Sequence, residues 1–299
     1  MRVAVVGNRG MLARDLTLLL DKAGISHWGA DLPELDITEP DTVRRQVKES
    51  EATAVINCAA YTAVDKAESQ PEIAFAVNRD GIRNLALVCR DLNIPLIHVS
   101  TDYVFDGKLR RPYREDDLPR PLGVYGESKW AGEKELRSIH GKHIIVRTAW
   151  LFGAMGNSFV KTILRLARER DELRVVDDQF GCPTWSGDLA EVLIRIVRAA
   201  EISGNTHELW GTYHYCGLGE TTWCGFAREI LEQARGLTEL RAGTVAPITT
   251  AEFPTPAGRP PWSVLDCEKI GRRLGILQTS WREGLSVVMK ALVAEQERG

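Results

Sequence analysis

The chain has 299 residues, 44% of them hydrophobic and 26% charged, a globular composition that excludes disorder as the main state and suffices for one large core or two smaller ones. Its 38 basic and 41 acidic residues leave a formal net charge of -3 and are spread along the chain, so no electrostatic footprint for nucleic acid or an anionic membrane stands out. After Met1 and Arg2 the apolar run of residues 3–6 stops at Gly7, too short for a signal peptide's core or a membrane span, and the cytoplasm is the expected location.

In chain order, the β-rich apolar runs at residues 2–6, near Trp28, and at 54–57, 96–100 and 143–147 read as buried parallel strands. Amphipathic stretches at 12–23, 42–50, 74–92 and 129–139 lie between them and read as helices. This β-α-β alternation predicts an α/β fold: a Rossmann-type, doubly wound parallel sheet with helices on both faces. Beyond about residue 175 the rhythm loosens into Trp-, Pro- and Gly-rich segments at 178–185 and 254–262, read as ordered binding loops, before a closing helix from 281 towards 295. Residues 1–150, with a return segment near 175–216, are expected to form the dinucleotide-binding domain, and 151–299 mostly a smaller α/β substrate domain, discontinuous in sequence. Cys58, Cys89, Cys182, Cys216, Cys224 and Cys267 show no CxxC or Cys/His spacing. Reduced thiols are expected, with neither a disulfide framework nor a zinc site.

Strand 2–6 runs straight into Gly7-Asn8-Arg9-Gly10-Met11-Leu12-Ala13, the strand-turn-helix context of a dinucleotide fingerprint with Ala in the third glycine position. Gly7 permits the tight turn, Gly10 lets backbone approach a pyrophosphate, and the anion meets the free N–H groups and positive dipole end of a helix. Asp31, about twenty residues on, suits the adenosine ribose diol and NAD, whereas Arg9 could pair with a 2′-phosphate. The preference between NADH and NADPH stays open.

Tyr125 and Lys129 stand four residues apart as a helix begins, so both project from one face. Ser100-Thr101-Asp102 end the apolar strand before them, at the carboxyl edge where open α/β sheets place ligands. Reduction of a carbonyl creates negative charge on oxygen, and a phenol can donate a proton as that charge grows. Tyr125 is the expected general acid, Lys129 its electrostatic partner and a holder of the nicotinamide ribose, and Thr101 the donor that polarises the carbonyl.

These segments, together with residues 60–68 (AYTAVDKAE), 100–107 (STDYVFDG), 147–150 (RTAW), 178–181 (DQFG) and 253–257 (FPTPA), resemble the dTDP-4-dehydrorhamnose reductases, members of the extended short-chain dehydrogenase/reductases. The resemblance covers nearly the whole chain. It implies reduction of dTDP-4-dehydro-L-rhamnose to dTDP-L-rhamnose by NADPH or NADH, with Thr101, Tyr125 and Lys129 catalytic. It implies that Gly10, Met11, Leu12, Asp31, Asp36, Ile37, Ala59, Ala60 and Thr62 lie along the cofactor beside Tyr125 and Lys129, and that Thr101, Asp102 and Trp150 face the sugar nucleotide. Met11 stands where the family usually has Gln. Some members dimerise through Mg2+ held by acidic residues, but only Asp15 here suggests such a ligand, so no metal site is expected; the protein is a monomer or a homodimer. Arg259, in its Pro-rich loop, either binds the diphosphate or lies exposed. Of Trp150, Trp185, Trp223 and Trp262, any of which could wall a sugar or base or simply pack, only Trp150 has the resemblance behind it.

Two other readings share these motifs. A sugar-nucleotide epimerase or dehydratase uses the same Tyr/Lys chemistry, but dehydratases follow Thr-Asp with a glutamate, where this chain has Tyr103. A non-catalytic NADP-binding regulatory subunit of this fold is the other; the intact Thr101, Tyr125 and Lys129 favour catalysis.

Overall fold

The computed structural model describes residues 1–203 and 208–296. Six strands, β1 (Arg2–Val6), β2 (Ser26–Ala30), β3 (Ala54–Asn57), β4 (Leu96–Thr101), β5 (His143–Thr148) and β6 (Gly211–His214), form one sheet in the order β2-β1-β3-β4-β5-β6. Every pair in it is parallel. The expected Rossmann-type sheet is therefore present. Alternation along the strands divides the core: Val3 and Val5 pack with Leu16 and Leu20 of α1 (Met11–Lys22) and Leu193 of the helix Ser186–Ser203. Ala4 and Val6 face the other way, onto Val43 and Val47 of α2 (Pro40–Glu49) and Leu85 of α3 (Gly81–Leu92). Successive side chains on a strand point to opposite faces, so a strand covered on both sides reads as a nearly continuous apolar run.

The chain leaves β1 towards β2 on one side and returns to β3 on the other. This reversal opens a crevice above the carboxyl ends of β1 and β3. A second apolar cluster, with Phe152, Ile163, Phe226, Ile230, Trp281 and Leu285 at its centre, sits among the helices Phe159–Glu169, Trp223–Ala234 and Trp281–Gln296. The parallel strands Glu172–Val176 and Thr244–Ile248 pair beside it. Segment 178–185 contains the two-residue strands Phe180–Gly181 and Thr184–Trp185, and segment 264–276 returns to the first cluster through Val264, Leu265 and Ile270.

Two helices differ from the expected ones in ways that matter for the site. The stretch 74–92 is interrupted by a π-helical turn, Ala76–Asp80, ahead of α3. That turn aims the buried Asn78 at Tyr61, whose N–H it accepts at 2.9 Å and whose carbonyl it bonds at 3.0 Å, and at Ser128 Oγ at 3.0 Å. The helix expected over 129–139 begins five residues earlier, as α4 (Val124–Ile139). Gly123 supplies no side-chain cap; Glu68 Oε1 instead accepts from Val124 N at 2.9 Å. A carboxylate at a helix N-terminus satisfies an orphan donor and meets the positive dipole end, but this one arrives from a distant segment and leaves no local capping pattern.

Candidate active site

The turn after β1 is built as its glycines require. Gly7 has φ +79°, and a Cβ there would lie 2.6 Å from Ala59 N. Gly10 opens α1 without a side-chain cap, which leaves the amides of the first turn free for an anion. Asn8 lies against Gly29 on β2, and Met11 against Gly153 and Gly156. Asp31, just beyond β2, accepts from Arg9 N at 3.0 Å and from Leu32 N at 2.8 Å. The Arg9 guanidinium forks onto Glu34 at 2.9 and 3.0 Å and also bonds Leu32 O. Both partners of that pair are more than half exposed, so it is worth at most about 1 kcal/mol and yields readily to a competing anion. Gly7, Asn8, Arg9, Gly10, Met11, Leu12, Asp31 and Ala59 thus gather at the ends of β1, β2 and β3. Asp36 is engaged with Thr38 N and Oγ1 at 2.9 and 2.8 Å, Ile37 is buried under Gly81, and Ala60 and Thr62 sit on the loop after β3, with Thr62 exposed.

Across the crevice, Thr101 ends β4 opposite Thr148 of β5. Its hydroxyl donates to Asp102 Oδ1 at 2.9 Å and accepts from Tyr103 N at 3.2 Å. Tyr125, only 8% exposed on the first turn of α4, packs edge-on against Tyr103 with ring centroids 5.4 Å apart. Burial pushes its phenol up to about 12; the Thr101 hydroxyl pulls it back and the Asp102 charge adds to the rise. The phenol is therefore protonated at neutral pH, as a general acid must be. Lys129, one turn further and 2% exposed, donates to Val99 O at 2.8 Å and stands 3.2 Å from His98 Nε2. Burial lowers it to about 8, against the pull of Glu133 and then Cys58.

Asp102 is the site's unsettled carboxylate. Burial raises it to about 6, opposed by Ser263 and Thr101. Its Oδ2 is buried without a hydrogen bond of ordinary geometry, and so is Thr148 Oγ1 on β5. Such orphaned polar atoms at strand ends suit a ligand that supplies the missing partners. Trp150, which follows β5 with φ +48°, lies flat on Trp223 at 3.6 Å between centroids and 7° between planes. Gly181 leaves room for its indole edge, which a Cβ would meet at 2.4 Å. Trp223 also lines a cavity of about 460 Å³ with Asp65, Phe159, Gln179, Thr255 and Arg259. Trp185 packs instead against Gly187 and Gly284, and Trp262 bonds Arg111 O at 3.0 Å.

Arg259 is not a free loop arginine. Its Nη2 bonds both Asp65 oxygens at 2.9 Å, and the guanidinium carbon lies 5.8 Å from the Tyr103 ring centroid. Asp65 therefore parks a cation at the cavity edge, one aromatic ring away from Tyr125.

The match of the whole chain to known proteins agrees with this geometry. Residues 1–294 match the family model described as RmlD substrate binding domain. A dTDP-4-dehydrorhamnose reductase of Sinorhizobium fredii is 41% identical over 295 residues, covering 99% of both chains. The chain belongs to the dTDP-4-dehydrorhamnose reductase family. Among solved structures, the family member from Clostridium acetobutylicum superposes with TM-score 0.91 at 37% identity, covering 98% of this chain and 99% of that one. The Bacillus anthracis member, solved in complex with NADP, gives TM-score 0.89 at 37% identity over 97% and 98% of the two chains.

Around the candidate site, Asn57, His98 and Asn78 are residues that sequence reasoning passed over, and Glu68 and Thr148 stood inside the quoted segments 60–68 and 147–150 without a role of their own. The only local trace of the first two is a polar residue at the end of one apolar strand (AVIN) and a histidine inside another (LIHVST). Among the described residues no group of three or more His, Cys, Asp or Glu could hold a metal ion. Asp15 accepts from Ser186 Oγ instead; burial raises its pKa, and that bond opposes the rise without cancelling it.

Proposed function

We propose that this protein reduces the 4-keto group of dTDP-4-dehydro-L-rhamnose to give dTDP-L-rhamnose, the last step of that sugar nucleotide's synthesis, with NADPH or NADH as the reductant. The observation that carries the reading is the buried Tyr125 phenol, held protonated by burial and interacting with Thr101 at the carboxyl end of β4, on the same sheet edge as the Gly7–Gly10 turn after β1. When bound, the reduced nicotinamide supplies the hydride. The Thr101 hydroxyl orients and polarises the carbonyl oxygen, and Tyr125 gives its Oη proton to that oxygen as negative charge gathers there. Lys129, one helical turn from Tyr125, supplies positive charge near the phenol below about pH 8, where it is still an ammonium. Trp150 on its Trp223 backing walls the sugar nucleotide, Asp102 accepts from a sugar hydroxyl, and Arg259 exchanges Asp65 for diphosphate oxygens.

The free amides at the start of α1 and the small Ala59 beside Gly7 support pyrophosphate binding at the turn. Asp31 suits the ribose diol, and Arg9, once released from Glu34, suits a 2′-phosphate, so either reduced cofactor has a partner. Residues 1–150 with a return segment near 175–216 form the cofactor unit, and most of 151–299 the sugar-nucleotide unit, a division supported by the two apolar clusters. No helix among the described residues is long and apolar enough to cross a membrane, and the enzyme is assigned to the cytoplasm as a monomer or homodimer. The deciding assay follows absorbance of added NADPH or NADH with dTDP-4-dehydrorhamnose. A reductase consumes reduced cofactor mole for mole, whereas recycling of bound cofactor without net loss would instead identify an epimerase or dehydratase.

A further inference from the structure

His98 lies on β4, fully buried, and its ring is held from both sides. Asn57 Nδ2, at the end of β3, stands 3.0 Å from Nδ1, and Lys129 Nζ stands 3.2 Å from Nε2. The orientation of the Asn57 amide follows from its other contacts. Ala59 N–H, which can only donate, is 3.1 Å from Oδ1, and Ala59 O, which can only accept, is 3.4 Å from Nδ2. Nδ2 therefore turns to His98 and donates, Nδ1 accepts, and the neutral ring carries its proton on Nε2. That N–H points at the lysine nitrogen. An ammonium has three N–H groups and no lone pair to receive it. A neutral amine receives it and still donates to Val99 O at 2.8 Å.

We propose that Asn57 and His98 are positioning residues for Lys129: Asn57 selects the Nε2–H tautomer of His98, and that N–H favours the neutral amine of Lys129 over its ammonium. The pair thereby sets the pH above which the positive charge beside Tyr125 is withdrawn.

The surroundings support this. Burial, then the charge of Lys129, keeps His98 well below its ordinary pKa, so the ring stays neutral, and burial holds Lys129 down to about 8. The titratable groups around Lys129 are His98 on β4, the Cys58 thiol after β3, and Tyr125 and Glu133 along α4. Burial raises Cys58 to about 12, so it stays a neutral thiol. Glu133 favours the ammonium, but its carboxylate is shared with Arg147 and Arg137 at 2.7 and 2.8 Å.

The tautomer can be reversed by design. Asn57→Asp keeps an oxygen for Ala59 N and offers its other oxygen to Nδ1–H, which moves the ring proton to Nδ1 and turns Nε2 into an acceptor for the ammonium. With the kinetic part resting on the reductase reading, the alkaline limb of kcat against pH should move up by at least one unit in Asn57→Asp, a tenfold change in proton concentration. A limb that stays put in a variant with native circular dichroism overturns the proposal. Nitrogen NMR of wild-type protein carrying 15N-histidine tests the same claim without substrate, and decides it if the variant does not fold. A neutral His98 ring protonated at Nε2 is expected from about pH 6 to 9, and a ring protonated at Nδ1 or at both nitrogens overturns it. Absence of turnover on any nucleotide-linked 4-keto sugar would remove the reductase reading alone, since the tautomer is read independently.

Discussion

Glu133→Gln is the substitution whose cost the structure specifies most fully. The carboxylate is wholly buried: Oε1 accepts from Ser100 Oγ at 2.6 Å and Arg147 Nε at 2.9 Å, and Oε2 from Arg147 and Arg137 Nη2 at 2.7 and 2.8 Å. Arg147 is itself 1% exposed. The amide keeps the shape but leaves a guanidinium charge in the core without its anion and points N–H at N–H. Breaking a buried pair from one side costs about 3–5 kcal/mol, a fall in Tm of roughly 5–8 °C for a chain of 299 residues, whose unfolding entropy is about 2.1 cal/mol/K per residue. Burial alone would raise the Glu133 pKa, but the Arg147 charge and hydrogen bonds, helped by Arg137 and Ser100, overcome it and hold the group below its ordinary 4.5. A carboxyl depressed in the folded state contributes its stability above the unfolded value and loses it as pH falls through the folded one. The gap between wild type and variant in urea denaturation should therefore be full at neutral pH and close as the pH drops below about 4. Replacing Arg147 by Met in the same chain should recover most of the loss. A gap under about 1 kcal/mol that does not change with pH would refute this account of what ties α4 to β4 and β5.

Tyr125→Phe removes the proton donor, and kcat should fall by about 10²–10⁴ with little change in Tm; undiminished turnover would take Tyr125 out of the chemistry. Gly7→Ala places a Cβ 2.6 Å from backbone at φ +79°, which should cost about 1–3 kcal/mol in thermal unfolding and weaken cofactor binding in titration. Arg259→Ala should raise the Kd for a sugar nucleotide about tenfold while changing stability by less than about 1 kcal/mol, because its Asp65 partner is 43% exposed; unchanged affinity removes the guanidinium from the site. Arg9→Ala should raise KM for NADPH about tenfold relative to NADH, and equal effects on the two cofactors would show that Arg9 does not meet a 2′-phosphate.

Much of this molecule is legible in its sequence, for a physical reason. Buried parallel strands are mostly apolar on both faces, a pyrophosphate turn is glycine-spaced, and a Tyr and Lys on one helical face stand three or four apart; each leaves a local signature, and β1, β3, β4, β5 and the segments 7–13 and 125–129 carry them. What tertiary structure alone decided is which polar groups meet. Glu68 starts α4 from 56 residues away, and Asp65 takes Arg259 across 194. Asn57 and His98 close on Lys129 from two strands. Cys216 and Cys267, far apart in the chain, bring their sulfurs to 3.7 Å, while Trp150 finds its stacking partner in Trp223. Packing forces such pairings, because a buried donor or charge must find a partner wherever the fold brings one within reach, and sequence spacing does not record that distance.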